Sequence, residues 1–271
     1  MAALNSIYAA QLLRLIGTPT CPQIVDIRTQ DDFDADPFLI PGSVRATHTD
    51  LPALKARLGS GSIVIVCQKG LKLSQGAAAW LRIHEIACDY LEGGSFAWRD
   101  LADAPQLPVA NSSVLGREDT LWVTRHRPKI DRIACPWLIR RFVDSKARFL
   151  FVAPSEVAAV AERFDAEPFD VDGARWSHSG TFCTFDALLD AFGLRTPALD
   201  RLAGVVRAAD TNQHDLAPEA AGLLAISVGL SRQYKDDLAQ FDAGLALYDA
   251  LYRWARDGFD ETHACPQGDA A

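Results

Sequence analysis

The sequence predicts an α/β fold, a parallel sheet with helices on both faces, followed by a mainly α-helical second domain. Three observations carry that expectation. In the first hundred residues, short runs of β-branched and apolar residues alternate with segments of helical period. The stretch ADAPQLPVANSSVLGRE at 102–118 then loses all periodicity and brings prolines and small polar residues, which reads as a linker. Beyond it, long stretches place apolar residues at helical spacing. The expected division is 1–105, a linker at 106–119, and 120–271.

Taken in order, a helix at about 6–16 leads through Gly17, Pro19 and Pro22 into a strand at Ile24–Ile27. Asp31-Asp32-Phe33 suggests a helical turn, and Pro41-Gly42 a tight turn before Ser43–Ala46. A helix from Pro52 ends at Gly59. Ile63–Val66 is a four-residue β-branched run, too short for a helix and apolar enough for a strand buried on both faces. Leu73–Ile83 is rich in Ala, Leu and Gln and reads as a helix. A strand near Cys88–Leu91, Gly93-Gly94 and a helix around Phe96–Leu101 complete this half. Thr120–Thr124 predicts one more strand, and helices are expected at about 184–192, 197–209, 218–229 and 235–256. In the last of these Leu238, Phe241, Leu245, Tyr248, Leu251 and Tyr252 fall on one face.

At 271 residues and 49% hydrophobic, the chain can bury a sizeable core. A net charge of -8 disfavours nucleic acid as a partner. Cys21, Cys67, Cys88, Cys135, Cys183 and Cys265 form no CxxC pair and no dense framework, so reduced thiols in a cytoplasm are expected. The N-terminal segment lacks a basic region before an apolar core and reads as a helix, not a signal; no membrane partner is expected.

Cys67 stands where the strand Ile63–Val66 ends, and Gln68-Lys69-Gly70-Leu71-Lys72 follows before the helix. A thiolate there would be stabilised by backbone N–H groups, by the helix N-terminus and by Lys69 and Lys72. In parallel sheets, reactive groups belong at the carboxyl ends of strands. The chemistry expected is nucleophilic: Cys67 takes the outer sulfur of thiosulfate or a related donor as a persulfide and passes it to a thiol or cyanide. No cofactor is required. A phosphatase loop is longer and carries an arginine, so five residues between Cys67 and Leu73 favour sulfur over phosphate. Asp26 and Arg28 read as an ion pair beneath the loop.

IVDIR with Asp26 and Arg28, the IPGS turn at 40–43, the strand-Cys-loop-helix at 63–83 and LEGGSFAW at 91–98 occur in that order. Together they resemble a single rhodanese domain. The resemblance implies Cys67 as the catalytic nucleophile, with Gln68, Lys69, Gly70, Leu71, Lys72 and Arg28 as the substrate-binding set. Leu39 stands where such domains often have His, and Leu73 where Ser often follows the basic loop residue.

In the second half, Arg125, Arg127, Lys129, Arg132, Arg140 and Arg141 crowd a short segment of an acidic chain. They read either as an oxyanion site built around Arg125, Arg132 and Arg140 or as a solvated basic face. His178, Cys183, Asp186, Asp210, His214 and Asp215 are the groups able to hold a divalent metal. Of these His178, Asp210 and His214 form the expected ligand set, although no pair has a diagnostic spacing. The aromatic residues Trp137, Trp176, Trp254, Phe149/Phe151 and Phe182/Phe185 are expected in the core. DRIACPWLIRRFVDSKARFLFV at 131–152, WSHSGTFCTFDALLDAF at 176–192 and VVRAADTNQHDLAPEAAGLLAI at 205–226 resemble the C-terminal domain of the ChrB chromate resistance proteins. That resemblance implies a link to chromate without naming a reaction. The leading expectation is a rhodanese-type sulfurtransferase; the alternative is a non-catalytic sensor that binds chromate or another oxyanion.

Overall fold

In the computed structural model, which describes residues 5–59, 61–109, 114–178 and 180–261, the first half runs β1 (Ser6–Ile7), α1 (Ala9–Leu15), β2 (Gln23–Asp26), α2 (Gln30–Asp34), β3 (Phe38–Leu39) and β4 (Ser43–Arg45). It continues through α3 (Leu51–Arg57), β5 (Ile63–Val66), α4 (Lys72–Arg82), β6 (Cys88–Leu91) and α5 (Gly94–Arg99). Five strands form one parallel sheet in the order β1-β6-β5-β2-β4. All four residues of β5 are buried, because a central strand covered on both faces has no solvent side to serve. In α4 the buried residues are Ser74, Ala77, Ala78 and Leu81, a helical stripe of mostly small side chains that lets the helix lie close on the sheet. The α/β expectation for this half is met.

The second half contains β7 (Leu107–Pro108), β8 (Leu121–Arg125), α6 (Asp131–Phe142), β9 (Arg148–Val152), α7 (Val157–Phe164) and β10 (Glu167–Pro168). Then come α8 (Thr184–Ala191), α9 (Pro197–Asp210), α10 (Ala220–Gln233) and α11 (Asp237–Arg253). It is mainly helical, and it also holds a small parallel sheet in the order β10-β8-β9, of which only β8 was expected. Helix starts follow capping chemistry: the Thr196 side chain accepts from the Leu199 amide ahead of Pro197, and Asp236 accepts from Ala239. Pro136 does not interrupt α6. It cannot donate to the Arg132 carbonyl, yet the helix runs through it because nine of its residues are buried and packing holds the turn.

One apolar cluster joins the halves, with Leu12, Ile16 and Trp98 from the first and Trp122, Phe142 and Tyr252 from the second. The segment expected as a linker takes part in it: Leu107, Val114 and Leu115 are buried, and β7 pairs antiparallel with β3. Across the helical side, α11 approaches α6 so closely that a Cβ on Gly244 would lie 2.6 Å from Ile133 Cγ2. That contact turns the face of α11. Phe241, Tyr248 and Tyr252 are buried as expected, but Gln240 and Gly244 join them and Leu238 is exposed. Phe182 is also exposed rather than in the core, and Arg207 stacks over its ring. Among the described residues no helix is long and apolar enough to cross a membrane. Cys265 lies outside the described residues.

Candidate active site

Cys67 follows directly on β5, the middle strand of its sheet, and so sits at the sheet's carboxyl edge. The loop after it is pinned from outside: Ser95 N donates to Cys67 O at 2.9 Å and Phe96 N to Gln68 O at 3.2 Å. Gln75 Nε2 donates to Gly70 O at 3.1 Å. Two glycines make that seat. Gly70 has φ +67°, and a Cβ there would fall 2.5 Å from Leu91 O; Gly94 has φ +63°, and its Cβ would strike the Cys67 carbonyl oxygen.

With the carbonyls tied down, the amides are left over. Those of Gln68, Lys69, Gly70 and Leu71 have no acceptor among the described residues. Leu71 is the N-cap of α4 and offers no side-chain bond to its first turn. Such a row of donors at a helix start is a seat for negative charge. It opens on a cavity of about 430 Å³ lined by Asp32, Cys67, Gln68, Lys69, Leu71, Lys72 and Leu73. Cys67 itself is 4% exposed, and its Sγ lies 3.2 Å from Ser74 Oγ. The sequence reading missed Ser74 and Asp32. Ser74 is one position beyond Leu73, and its Oγ accepts from the Cys67 thiol while its hydroxyl donates to the Leu71 carbonyl; Thr29 caps α2, which carries Asp32, its Oγ1 accepting from the Asp32 amide at 3.2 Å.

Arg28 does not belong to the substrate-binding set. It is 3% exposed, its guanidinium is divided between the Asp26 carboxylate and the carbonyls of Asp36 and Phe38, and the rings of Phe33 and Phe38 sandwich it. With Asp26 it forms a buried ion pair that ties down the segment from Asp36 to Phe38. The remaining described thiols are held protonated: burial pushes Cys21 and Cys88 up to about 12 and raises Cys135 and Cys183 as well.

A second polar cluster lies at the carboxyl edge of the other sheet. Arg125 ends β8, Asp170 follows β10, Asp131 opens α6, Asp210 closes α9, and His178 lies in the segment before α8. His178 Nε2 is 3.2 Å from Asp170 Oδ1, 3.3 Å from Asp210 Oδ2 and 3.6 Å from Asp131 Oδ2. Thr184 aims two of the carboxylates, its amide donating to Asp131 Oδ2 at 2.7 Å and its hydroxyl to Asp170 Oδ1 at 3.1 Å. Burial, reinforced by Asp210 and Asp170, raises the Asp131 carboxyl well above the ordinary carboxylate range; burial and Asp170 also raise Asp210.

Of the metal-ligating set, His178 and Asp210 come together and His214 does not. His214 Nε2 instead pairs with Asn212 Oδ1 at 3.0 Å, and Asp131 and Asp170 stand where His214 was expected. The oxyanion set is also divided. Arg125 and Arg132 both pair with Asp170 Oδ2, at 3.0 and 3.3 Å. Arg140 is elsewhere, bonded to the Ala147 carbonyl and stacked over Phe149 and Phe241. The cause is local: Arg140 lies near the far end of α6, away from the strand ends that gather the other two.

Comparison with known proteins matches two separate stretches of the chain. The sequence model of the rhodanese-like domain matches residues 8–101, and that of the ChrB C-terminal domain matches residues 122–255. Protein ChrB of Cupriavidus metallidurans is 37% identical over 132 residues, which cover 48% of this chain and 39% of that protein, so the match spans about two fifths of the relative. Among solved structures, thiosulfate sulfurtransferase from Pseudomonas aeruginosa is 24% identical, with 38% of this chain and 19% of that one covered and a TM-score of 0.34. A yeast protein tyrosine phosphatase of the rhodanese family is 21% identical, with 37% and 88% covered and a TM-score of 0.30.

Proposed function

From a chain that carries a rhodanese-like domain followed by a ChrB C-terminal domain, we propose a sulfurtransferase that carries sulfane sulfur on Cys67. The observation that supports it best is that the loop whose amides from Gln68 to Leu71 lack acceptors lines, through Gln68, Lys69 and Leu71, the same cavity as Cys67. A sulfur nucleophile needs stabilisation of negative charge on itself, on the persulfide that replaces it and on the departing group. Backbone amides at a helix start supply this without a cofactor.

The Cys67 thiolate attacks the outer sulfur of thiosulfate; a Cys67 S–S bond forms, the S–S bond of thiosulfate breaks, and its electron pair leaves with sulfite. A thiol or cyanide nucleophile then attacks the outer persulfide sulfur and returns the electron pair to Cys67. Lys69 and Lys72 on the exposed rim attract an anionic donor, and Asp32 opposes them. Ser74 Oγ, 3.2 Å from the sulfur, can turn its hydroxyl from the Leu71 carbonyl to the thiolate. The second half ties this activity to chromate tolerance in the reading we favour. An oxyanion sensor built on Arg125, Arg132 and Arg140 is disfavoured, because the first two are committed to Asp170 and the third lies apart.

The test is steady-state transfer from thiosulfate to cyanide by the full-length chain. Cys67→Ser is expected to lower turnover to the uncatalysed background with an unchanged unfolding transition. Parent-like turnover in the serine variant would remove the proposal.

A further inference from the structure

We infer that His178, Asp170, Asp131 and Asp210 form a binding site for a first-row divalent transition-metal ion. Four chain segments converge there, so the cluster is not a run of surface acids. Asp131, Asp170 and His178 each offer a ligand atom, and the three atoms lie within 4.8 Å of one another. Ligands about 2.1 Å from a cation and roughly 90° to 110° apart are ~3.0 to 3.4 Å from each other. The separations of His178 Nε2 from Asp170 and Asp210 are 3.2 and 3.3 Å, and that from Asp131 is slightly longer at 3.6 Å.

The hydrogen bonding within the cluster does not account for its own geometry. His178 Nε2 carries at most one proton, yet three carboxylate oxygens surround it. A cation among those oxygens would satisfy all of them together. Independently, Asp131 is 1% exposed, and while its Oδ2 accepts from Thr184, its Oδ1 is buried without a hydrogen-bond partner. A fully buried carboxylate oxygen with no donor is a costly arrangement, which a metal ion reaching both oxygens of Asp131 would relieve. Arg125 and Arg132 make their ion-pair contacts with Asp170 Oδ2, which leaves Asp170 Oδ1 directed toward His178.

The donor set decides the class of ion. One imidazole nitrogen with carboxylate oxygens suits Mn²⁺, Fe²⁺ or Zn²⁺ better than Mg²⁺ or Ca²⁺, which take oxygen alone. His178 has 41% of its side chain exposed, so the ion would enter from that side and retain water there. Thr184 fixes two of the ligands from behind, the usual role of a residue that orients a metal's own ligands.

The full-length protein, stripped with chelator and dialysed separately against Mn²⁺, Zn²⁺ and Mg²⁺, tests this by metal analysis and thermal unfolding. We expect about one equivalent of Mn²⁺ or Zn²⁺ retained per chain and an unfolding temperature that rises with the concentration of that ion, with Mg²⁺ much weaker. His178→Ala should weaken retention at least about tenfold and abolish the thermal shift while leaving sulfur transfer through Cys67 intact. Asp131→Asn should also lose the ion and raise the unfolding temperature of the metal-free protein. Cys67→Ser should retain the ion as the parent does. No retained ion in the parent, parent-like retention in His178→Ala, or loss of the ion in Cys67→Ser would each overturn the inference. If Asp131→Asn failed to fold, the exposed His178 would still decide.

Discussion

The two halves place a polar site in the same topological position, the carboxyl edge of a parallel sheet beside its middle strand, and fill it with opposite chemistry. At Cys67 the backbone supplies donors: a pinned loop and a helix start present amides without acceptors, and two lysines stand at the rim. At His178 the side chains supply acceptors, three carboxylates around one imidazole. The donors of the first suit an anion and the acceptors of the second suit a cation. The contrast shows that the sheet edge fixes where a site forms, whereas the local supply of N–H groups or carboxylates fixes what it can hold.

The largest expected effect comes from removing the donor array without touching the nucleophile. Gly94→Val places a branched side chain at φ +63° against the Cys67 carbonyl oxygen, so the loop must leave its seat. Sulfur transfer should fall by at least about a hundredfold, the scale on which loss of an oriented charge-stabilising donor is felt. Activity within a few-fold of the parent would break the comparison at its first member, because the amides would then be incidental. Rim charge should matter less. Replacing Lys69 and Lys72 together by Ala is expected to raise KM for thiosulfate several-fold to about tenfold, with the difference shrinking as ionic strength rises. Asp32→Asn should lower KM in the opposite sense. A change confined to kcat in either variant would assign these residues to the reaction step instead of to capture of the donor.

The smallest effect concerns how the halves are held together. Glu118 lies between Arg57 of α3 and Lys146, with Lys146 Nζ 3.2 Å from Oε1 and the Arg57 guanidinium on Oε2. Burial pushes the Glu118 carboxyl up, but the hydrogen bonds from Arg57 and Lys146 outweigh it and hold the carboxyl below its ordinary value of 4.5. A carboxylate lowered by folding contributes stability that is complete above its unfolded pKa and is lost as pH falls through its folded one. Glu118→Gln should therefore destabilise by no more than about 1 kcal/mol near neutrality, with the difference from the parent vanishing in acid. A difference that grows as pH falls below 4.5 would reverse the sign and remove the pair as a contributor.

How much of this could be read from the chain differs between the two sites for the same physical reason. The Cys67 site is one contiguous stretch, strand, loop and helix start, so composition and period alone reveal it. Even there Ser74 and Asp32 were hidden, since one depends on the turn of a helix and the other on α2, distant in sequence, lining the same cavity. For Arg28 the ion pair with Asp26 was legible from their spacing, whereas the burial that sets it apart from the substrate-binding set was not. The His178 cluster gathers residues from five separate places between 125 and 210, and no spacing encodes that convergence. His178 and Asp210 were legible as residue types able to bind a metal. Asp131 and Asp170 were overlooked, although an aspartate opening an apolar helix and another in the apolar run Phe169–Val171 are the signal that would have raised them. The same limit explains α11, where periodicity put Leu238 inside and the close approach of Gly244 to Ile133 turned it out.

The intact mass of the protein after exposure to thiosulfate shows whether Cys67 accepts sulfur. We expect a gain of one sulfur atom per chain that cyanide removes and that Cys67→Ser does not acquire. An unchanged mass, or the same gain in the serine variant, would contradict it.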